Sequence, residues 1–105
     1  MLEIEFHLQA EAEMLDAASY YEEQATGLGS DFLDDVEQGA HRIQQFPYSW
    51  ATYEGEYRRH LLQRFPYGLI YRIAPEKIFI IAVAHLRRKP GYWKTRACAA
   101  GGLRR

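Results

Sequence analysis

The sequence predicts a single α+β domain. An N-terminal strand and a helical hairpin should pack on an antiparallel sheet meander, with a short helical segment at the C-terminus. Three observations carry this expectation. The apolar residues alternate at period two over residues 2–8, take helical spacing from Met14 to Ile43, and return to strand-like runs from Tyr57 to His85. Glycine and proline fall between these segments, at Gly27, Gly29, Pro47, Pro66 and Pro75. The 105 residues are 48% hydrophobic and 14% aromatic, a composition that folds into one modest core and does not stay disordered.

In residues 2–8, Leu2, Ile4, Phe6 and Leu8 alternate with Glu3, Glu5 and His7, the pattern of a half-buried strand. From Gln9, the steps Met14, Ala18, Tyr21 and Ala25 mark one helix face, with Glu11, Glu13, Asp16, Glu22 and Glu23 elsewhere. The helix should stop near Thr26, at the glycines flanking Leu28. Ser30 offers an N-cap to a second helix, and Asp31, Asp34 and Asp35 load its first turns with favourable negative charge. Its stripe is Phe32, Val36, Ala40 and Ile43; Gly39 would permit a close contact, and Pro47 ends it. The short connection makes an antiparallel helical hairpin.

Strands are expected at 57–65, 67–74 and 77–85, joined tightly enough to form an antiparallel meander. The run KIFIIAVAH is apolar on both faces and should be central and covered on both sides. One cover is the hairpin; the other is the C-terminal segment or a partner chain. The domain is expected to span residues 1–97, with 98–105 (CAAGGLRR) a mobile tail. Alternation places Arg58, His60, Leu62 and Arg64 on one face of the first meander strand, with Tyr57, Leu61 and Phe65 on the core face. In the next strand Leu69, Tyr71 and Ile73 should be core, leaving Gly68, Ile70 and Arg72 away from it.

Charge is sharply divided. Residues 1–57 carry thirteen acidic side chains and one basic, and residues 58–105 carry twelve basic and one acidic, for a net charge of −1. The basic half offers a surface for an anionic partner, or else the two halves neutralise each other across the fold. The stretch HLRRKPGYWKTR, residues 85–96, concentrates cations beside Tyr92 and Trp93. Arginines fork onto phosphates, Tyr92 and Trp93 could stack on bases or pack the segment onto the sheet, and His60 and His85 could move protons near neutrality or be structural. Glu54 and Glu56 could supply a base or simply solubility. Cys98 is the only cysteine, so no internal disulfide can form, which suits a reducing cytoplasm. No metal-ligand spacing and no phosphate-binding glycine loop after a strand is present, so neither metal nor cofactor is expected. The start MLEIEFHLQAEAE lacks the features of a secretory signal, and no apolar run is long enough to span a bilayer, so no membrane partner is expected.

The segments AASYYEEQATGLGSDFLDDV (17–36), FPYGLIYRI (65–73) and AVAHLRRKPGYWKTR (82–96) resemble the RelE/ParE superfamily of toxins from type II toxin–antitoxin, or plasmid stabilisation, modules. The resemblance covers nearly the whole chain. It implies a RelE-like fold with a helical hairpin against an antiparallel sheet. It also implies a cytoplasmic toxin neutralised by a cognate antitoxin, through which alone the pair binds operator DNA. RelE-like members cut mRNA on the ribosome; ParE-like members poison DNA gyrase without cutting RNA. The RelE-like pattern has an arginine where this chain has Gly68, whereas the basic pair Arg87-Arg88 and the hydroxyl of Tyr92 are kept. The expectation is a metal-independent endoribonuclease that binds ribosome-bound mRNA and inhibits translation. His85 would transfer protons, Arg58 and Arg88 would clamp phosphate, and Tyr92 would stack or act as acid. His60, Arg64, Arg72, Arg87, Arg96 and Trp93 would bind RNA or its phosphates. The alternatives are a ParE-like gyrase inhibitor or a non-toxic antitoxin-binding module.

Overall fold

The computed structural model describes residues 2–96. The elements are β1 (Glu3–Phe6), α1 (Leu8–Gln24), α2 (Leu28–Gln45), β2 (Thr52–Glu54), β3 (Tyr57–Leu61), β4 (Tyr67–Ile73) and β5 (Lys77–His85). They form one five-stranded sheet in the order β1-β5-β4-β3-β2. β2 to β5 are an antiparallel meander, and β1 adds to β5 in parallel, from Glu3 beside Lys77 to Phe6 beside Ile80. The expected α+β architecture is therefore present, with β5 flanked by strands on both sides. The parallel pair makes the sheet mixed, and β2 is an additional short edge strand. The tail expected at 98–105 lies outside the described residues.

His7 caps α1, its Nδ1 accepting the Gln9 N–H at 3.0 Å. The start of α2 lies two residues ahead of the Ser30 cap that sequence suggests. Gly27 is its N-cap, in the left-handed region at φ 88, where a side chain would be strained. No side chain at the cap position satisfies the helix start; Glu22 reaches over from α1 instead, accepting the N–H groups of Gly27 and Gly29 at 3.0 Å each. A carboxylate at a helix N-terminus also complements its dipole. One residue thus joins the two helices of the hairpin.

The hairpin covers one face of the sheet. Phe32, Val36 and Ile43 are buried against Leu69, Tyr71, Ile78, Ile80 and Val83. Near the hairpin's closed end, Tyr21, Phe32, Phe65 and Tyr67 meet mostly edge to face, with ring centroids 4.8–6.3 Å apart. Asp35, buried on α2, accepts the N–H groups of Arg64 and Phe65 at 2.9 and 3.1 Å and so fixes the β3–β4 connection. The other face has a smaller core of Ile70, Phe79, Ile81, Ala82 and Trp93, so the C-terminal segment is the second cover that the two-sided apolarity of β5 required.

The expected orientation of β3 is reversed. Arg58 pairs with Tyr71 and His60 with Leu69, and cross-strand partners share a face, so Arg58, His60 and Leu62 lie on the hairpin side. Tyr57 joins the second core, and Leu61 is exposed. Gly39 on α2 makes room for this arrangement. A Cβ there would fall 3.0 Å from Leu62 and 3.1 Å from Leu69, so the bare backbone lets the helix lie directly on these side chains. His60 tolerates the burial because its Nε2 accepts Arg42 Nε–H at 3.2 Å.

Candidate functional site

The candidate site lies where β5 ends. His85 is its last residue, and the chain then turns back across the sheet. Gly91, in the left-handed region at φ 85, lets the backbone reverse before Tyr92 and Trp93. Trp93 is 1% exposed and packs edge-on to Tyr57 at 4.8 Å. A buried tryptophan of this kind covers roughly 150–250 Å², and it anchors the segment.

The centre of the site is Glu13 on α1. Its Oε2 accepts the Tyr92 hydroxyl at 2.6 Å and Arg96 Nη2 at 2.8 Å; its Oε1 accepts Arg96 Nη1 at 2.8 Å and the Val83 N–H at 3.0 Å. Arg88 Nη1 lies 3.7 Å from the same carboxylate. The guanidinium of Arg88 is 3.8 Å from the centre of the Tyr92 ring, and that of Arg96 is 5.0 Å from it. Arg88, Tyr92 and Arg96 thus gather as expected, but around an anion that belongs to the protein. Burial, reinforced by the hydrogen bond to Glu13, pushes the Tyr92 phenol well above its ordinary pKa, so it stays protonated with its proton committed to Glu13.

His85 borders an open cleft of about 290 Å³ whose other walls include Asp16, Tyr20, Tyr67 and Arg88. Its Nδ1 accepts the Arg87 N–H at 3.0 Å, and its ring packs edge-on to Tyr67 at 5.0 Å. With Nδ1 held as an acceptor, the neutral ring carries its proton on Nε2. That nitrogen is therefore a donor, not a base, in the neutral molecule. Burial raises the Tyr67 phenol as well, and the carboxylates of Glu13 and Asp16 make the cleft amphoteric.

The remaining candidates lie apart from it. Arg58 donates from Nη1 to the Trp50 carbonyl at 2.6 Å and lies over Tyr48 on the hairpin side. His60 is 4% exposed; burial, with the Arg42 guanidinium adding to it, pushes its imidazole down to about 4. It is neutral at pH 7 and shut away from solvent. Arg64 pairs with Asp31 at 3.4 Å on the hairpin side. Arg72 lies over Phe79, 5.3 Å from its centroid, at the opposite end of the sheet. Trp93 is core and presents no open face. Arg87 is exposed beside His85. The single basic face of Arg58, His60, Arg64 and Arg72 does not form, because β3 is turned over and Arg64 lies beyond its end.

The division of charge largely closes on itself. Every ion pair among the described residues joins an acid of residues 1–57 to a base of residues 58–96: Arg64 to Asp31, Lys77 to Glu5, Arg88 and Arg96 to Glu13, Lys94 to Glu54. Sequence reasoning passed over Glu13, one of five acidic residues on α1, because nothing local distinguishes it. It also passed over Arg59, which lies across the open position at Gly68. Among the described residues no three His, Cys, Asp or Glu side chains meet as a metal-binding group, and no helix is long and apolar enough to cross a membrane.

Residues 4–90 match the profile of a family described as the ParE toxin of the type II toxin-antitoxin system, parDE. A solved structure described as a chromosomal ParDE TA system from P. aeruginosa is similar to this chain. The TM-score is 0.70 at 19% identity, covering 81% of this chain and 96% of that one. At that identity the likeness bears on the fold. A comparison with curated proteins finds no match.

Proposed function

The chain belongs to the ParE toxin family of type II toxin–antitoxin systems, and from that premise we propose that it inhibits DNA gyrase without cutting RNA, and is neutralised by a cognate antitoxin. The carrying observation is the Glu13 carboxylate. A metal-independent nuclease needs a base for the 2′-hydroxyl, an acid for the leaving oxygen and free cations for the transition state. Here Tyr92 and Arg96 are hydrogen-bonded to Glu13, Arg88 is shared with it, and His60 is buried. Of the two histidines considered for proton transfer, His85 keeps a free nitrogen, and in the neutral ring that nitrogen is a donor.

Ribosome-dependent cleavage is the second reading. The exposed Arg87 and the His85 Nε2 donor beside it favour that reading. The two separate in one experiment, in which purified toxin is incubated with gyrase and plasmid DNA, and in parallel with translating ribosomes. The expected result is trapped gyrase–DNA breaks or lost supercoiling, with intact mRNA. New mRNA ends alongside unaffected gyrase would establish cleavage instead. Normal growth at high expression without the antitoxin would mean a non-toxic binding module.

A further inference from the structure

The sheet face under Trp93 is open at the His85 end. Leu61 pairs in register with Gly68, and Gly68 pairs with Ala84 on the next strand, so this row faces one way. Leu61 and Leu86 are each 46% exposed there. Gly68 has no side chain, and a Cβ on it would lie 3.1 Å from Cγ and 3.3 Å from Cδ of Arg59. The missing Cβ allows the Arg59 stem to lie flat across the strand, its guanidinium 4.2 Å from the centre of the Tyr53 ring. Ala84, Leu86 and Lys89 line the same shallow depression.

This patch holds cations that no carboxylate neutralises. Neither Arg59 nor Lys89 has a carboxylate partner among the described residues, whereas Arg64, Lys77, Arg88, Lys94 and Arg96 each have one. The neighbouring aromatic rings are closed: Tyr53 by Arg59, Tyr92 by Arg88, and Trp93 by burial. None of these three rings is left open beside the patch to stack an unpaired base, which disfavours single-stranded nucleic acid there. Exposed leucines rimmed by unneutralised cations fit an anionic chain that carries apolar side chains better than they fit a bare phosphate backbone. A second copy docking here by a two-fold axis would set the same unneutralised cations against each other, so it would have to use a different surface of its own. Such head-to-tail contacts extend without closing unless the rotation happens to form a ring.

We infer that the cognate antitoxin seats an acidic segment bearing apolar side chains on the patch formed by Arg59, Leu61, Leu86 and Lys89. The inference rests on the toxin–antitoxin reading above. Gly68 is a positioning residue in it, because its bare backbone sets where Arg59 lies.

The test is calorimetric titration of full-length toxin with purified antitoxin and with overlapping synthetic peptides spanning it. The double variant Leu61→Ser/Leu86→Ser should weaken binding tenfold or more. Gly68→Gln, which displaces Arg59, should weaken it several-fold. Arg59→Gln should do the same at low salt, with a smaller loss as ionic strength rises. Lys77→Gln, at the far end of the sheet, should leave affinity unchanged. Melting curves of each variant establish that it is folded, and the three separate substitutions keep the test standing if one is not. Equal antitoxin affinity for wild type and the folded patch variants would overturn the patch while leaving the module intact. An antitoxin that does not bind the wild-type toxin would instead overturn the toxin–antitoxin reading. Arg59-dependent binding of a duplex DNA oligomer with antitoxin affinity unchanged, or self-association of the toxin abolished by the leucine changes, would also overturn the assignment.

Discussion

The two faces of the sheet are covered by unequal means. On one, two helices of 17 and 18 residues lay down a continuous apolar layer, tied toward the hairpin's closed end by polar contacts from Glu22 and Asp35. On the other, one tryptophan and its flanking turn do the work, held at a distance by a glutamate from the first face. The first cover is spread over many side chains of both helices. The second depends on Trp93 and on Glu13, and Glu13 holds it through Arg88, Tyr92 and Arg96, the side chains considered for anion binding. Stability and candidate function are therefore coupled on the C-terminal face and largely separate on the hairpin face.

The largest expected effect removes the weaker cover. Trp93→Ala should lose about 3–5 kcal/mol of stability, as large-to-small changes at buried aromatics do. Denaturant unfolding followed by circular dichroism would show it. A loss under about 1 kcal/mol would mean that something other than Trp93 holds that face.

The next effect concerns the hairpin face and is conditional on pH. The folded His60 imidazole titrates near 4, below its ordinary 6.5, so the unfolded chain takes up the proton first. The associated stability is complete above about pH 6.5 and is lost as pH falls toward 4. The full span corresponds to about 3 kcal/mol. Carboxylates titrate in the same range, so the measurement is the difference between wild type and His60→Gln across pH. A difference that does not change between pH 7 and 4.5 would rule out the buried imidazole as the cause.

The smallest effect tests how tightly the hairpin lies on β3 and β4. Gly39→Ala gains about 1 kcal/mol of helix propensity but must push back Leu62 and Leu69, and such overpacking costs about 1–3 kcal/mol. A net loss of about 1 kcal/mol is expected from thermal melts, and a stabilised protein would show that the contact has room to give.

The same contrast explains what the sequence made legible. The hairpin face is written in periodicity: Phe32, Val36 and Ile43 recur on α2, and Leu69 and Tyr71 alternate on β4, so elements and core could be recognised from spacing. The second cover was legible in β5, whose two apolar faces demanded one. The orientation of β3 was not. Tyr57 and Leu61 look like core beside Arg58 and His60, and the choice turned on Arg42, eighteen residues earlier, supplying the hydrogen bond that lets His60 be buried. The site was half legible. Arg88, Tyr92 and Arg96 do converge, but the carboxylate between them comes from a residue more than seventy positions away, in a helix where acids are common. Long-range polar pairing leaves no local trace.

The parallel pairing of β1 with β5 also governs when the molecule can exist. Glu3 meets Lys77, and Glu13 meets Arg96 across 83 residues of chain. A nascent chain can form the helical hairpin early, because its contacts are local, whereas the sheet cannot close until β5 has left the ribosome. The surface around His85 is therefore assembled only once β5 has emerged. Until that strand is in place, neither the cleft beside His85 nor the row from Leu61 through Gly68 to Ala84 exists as a surface.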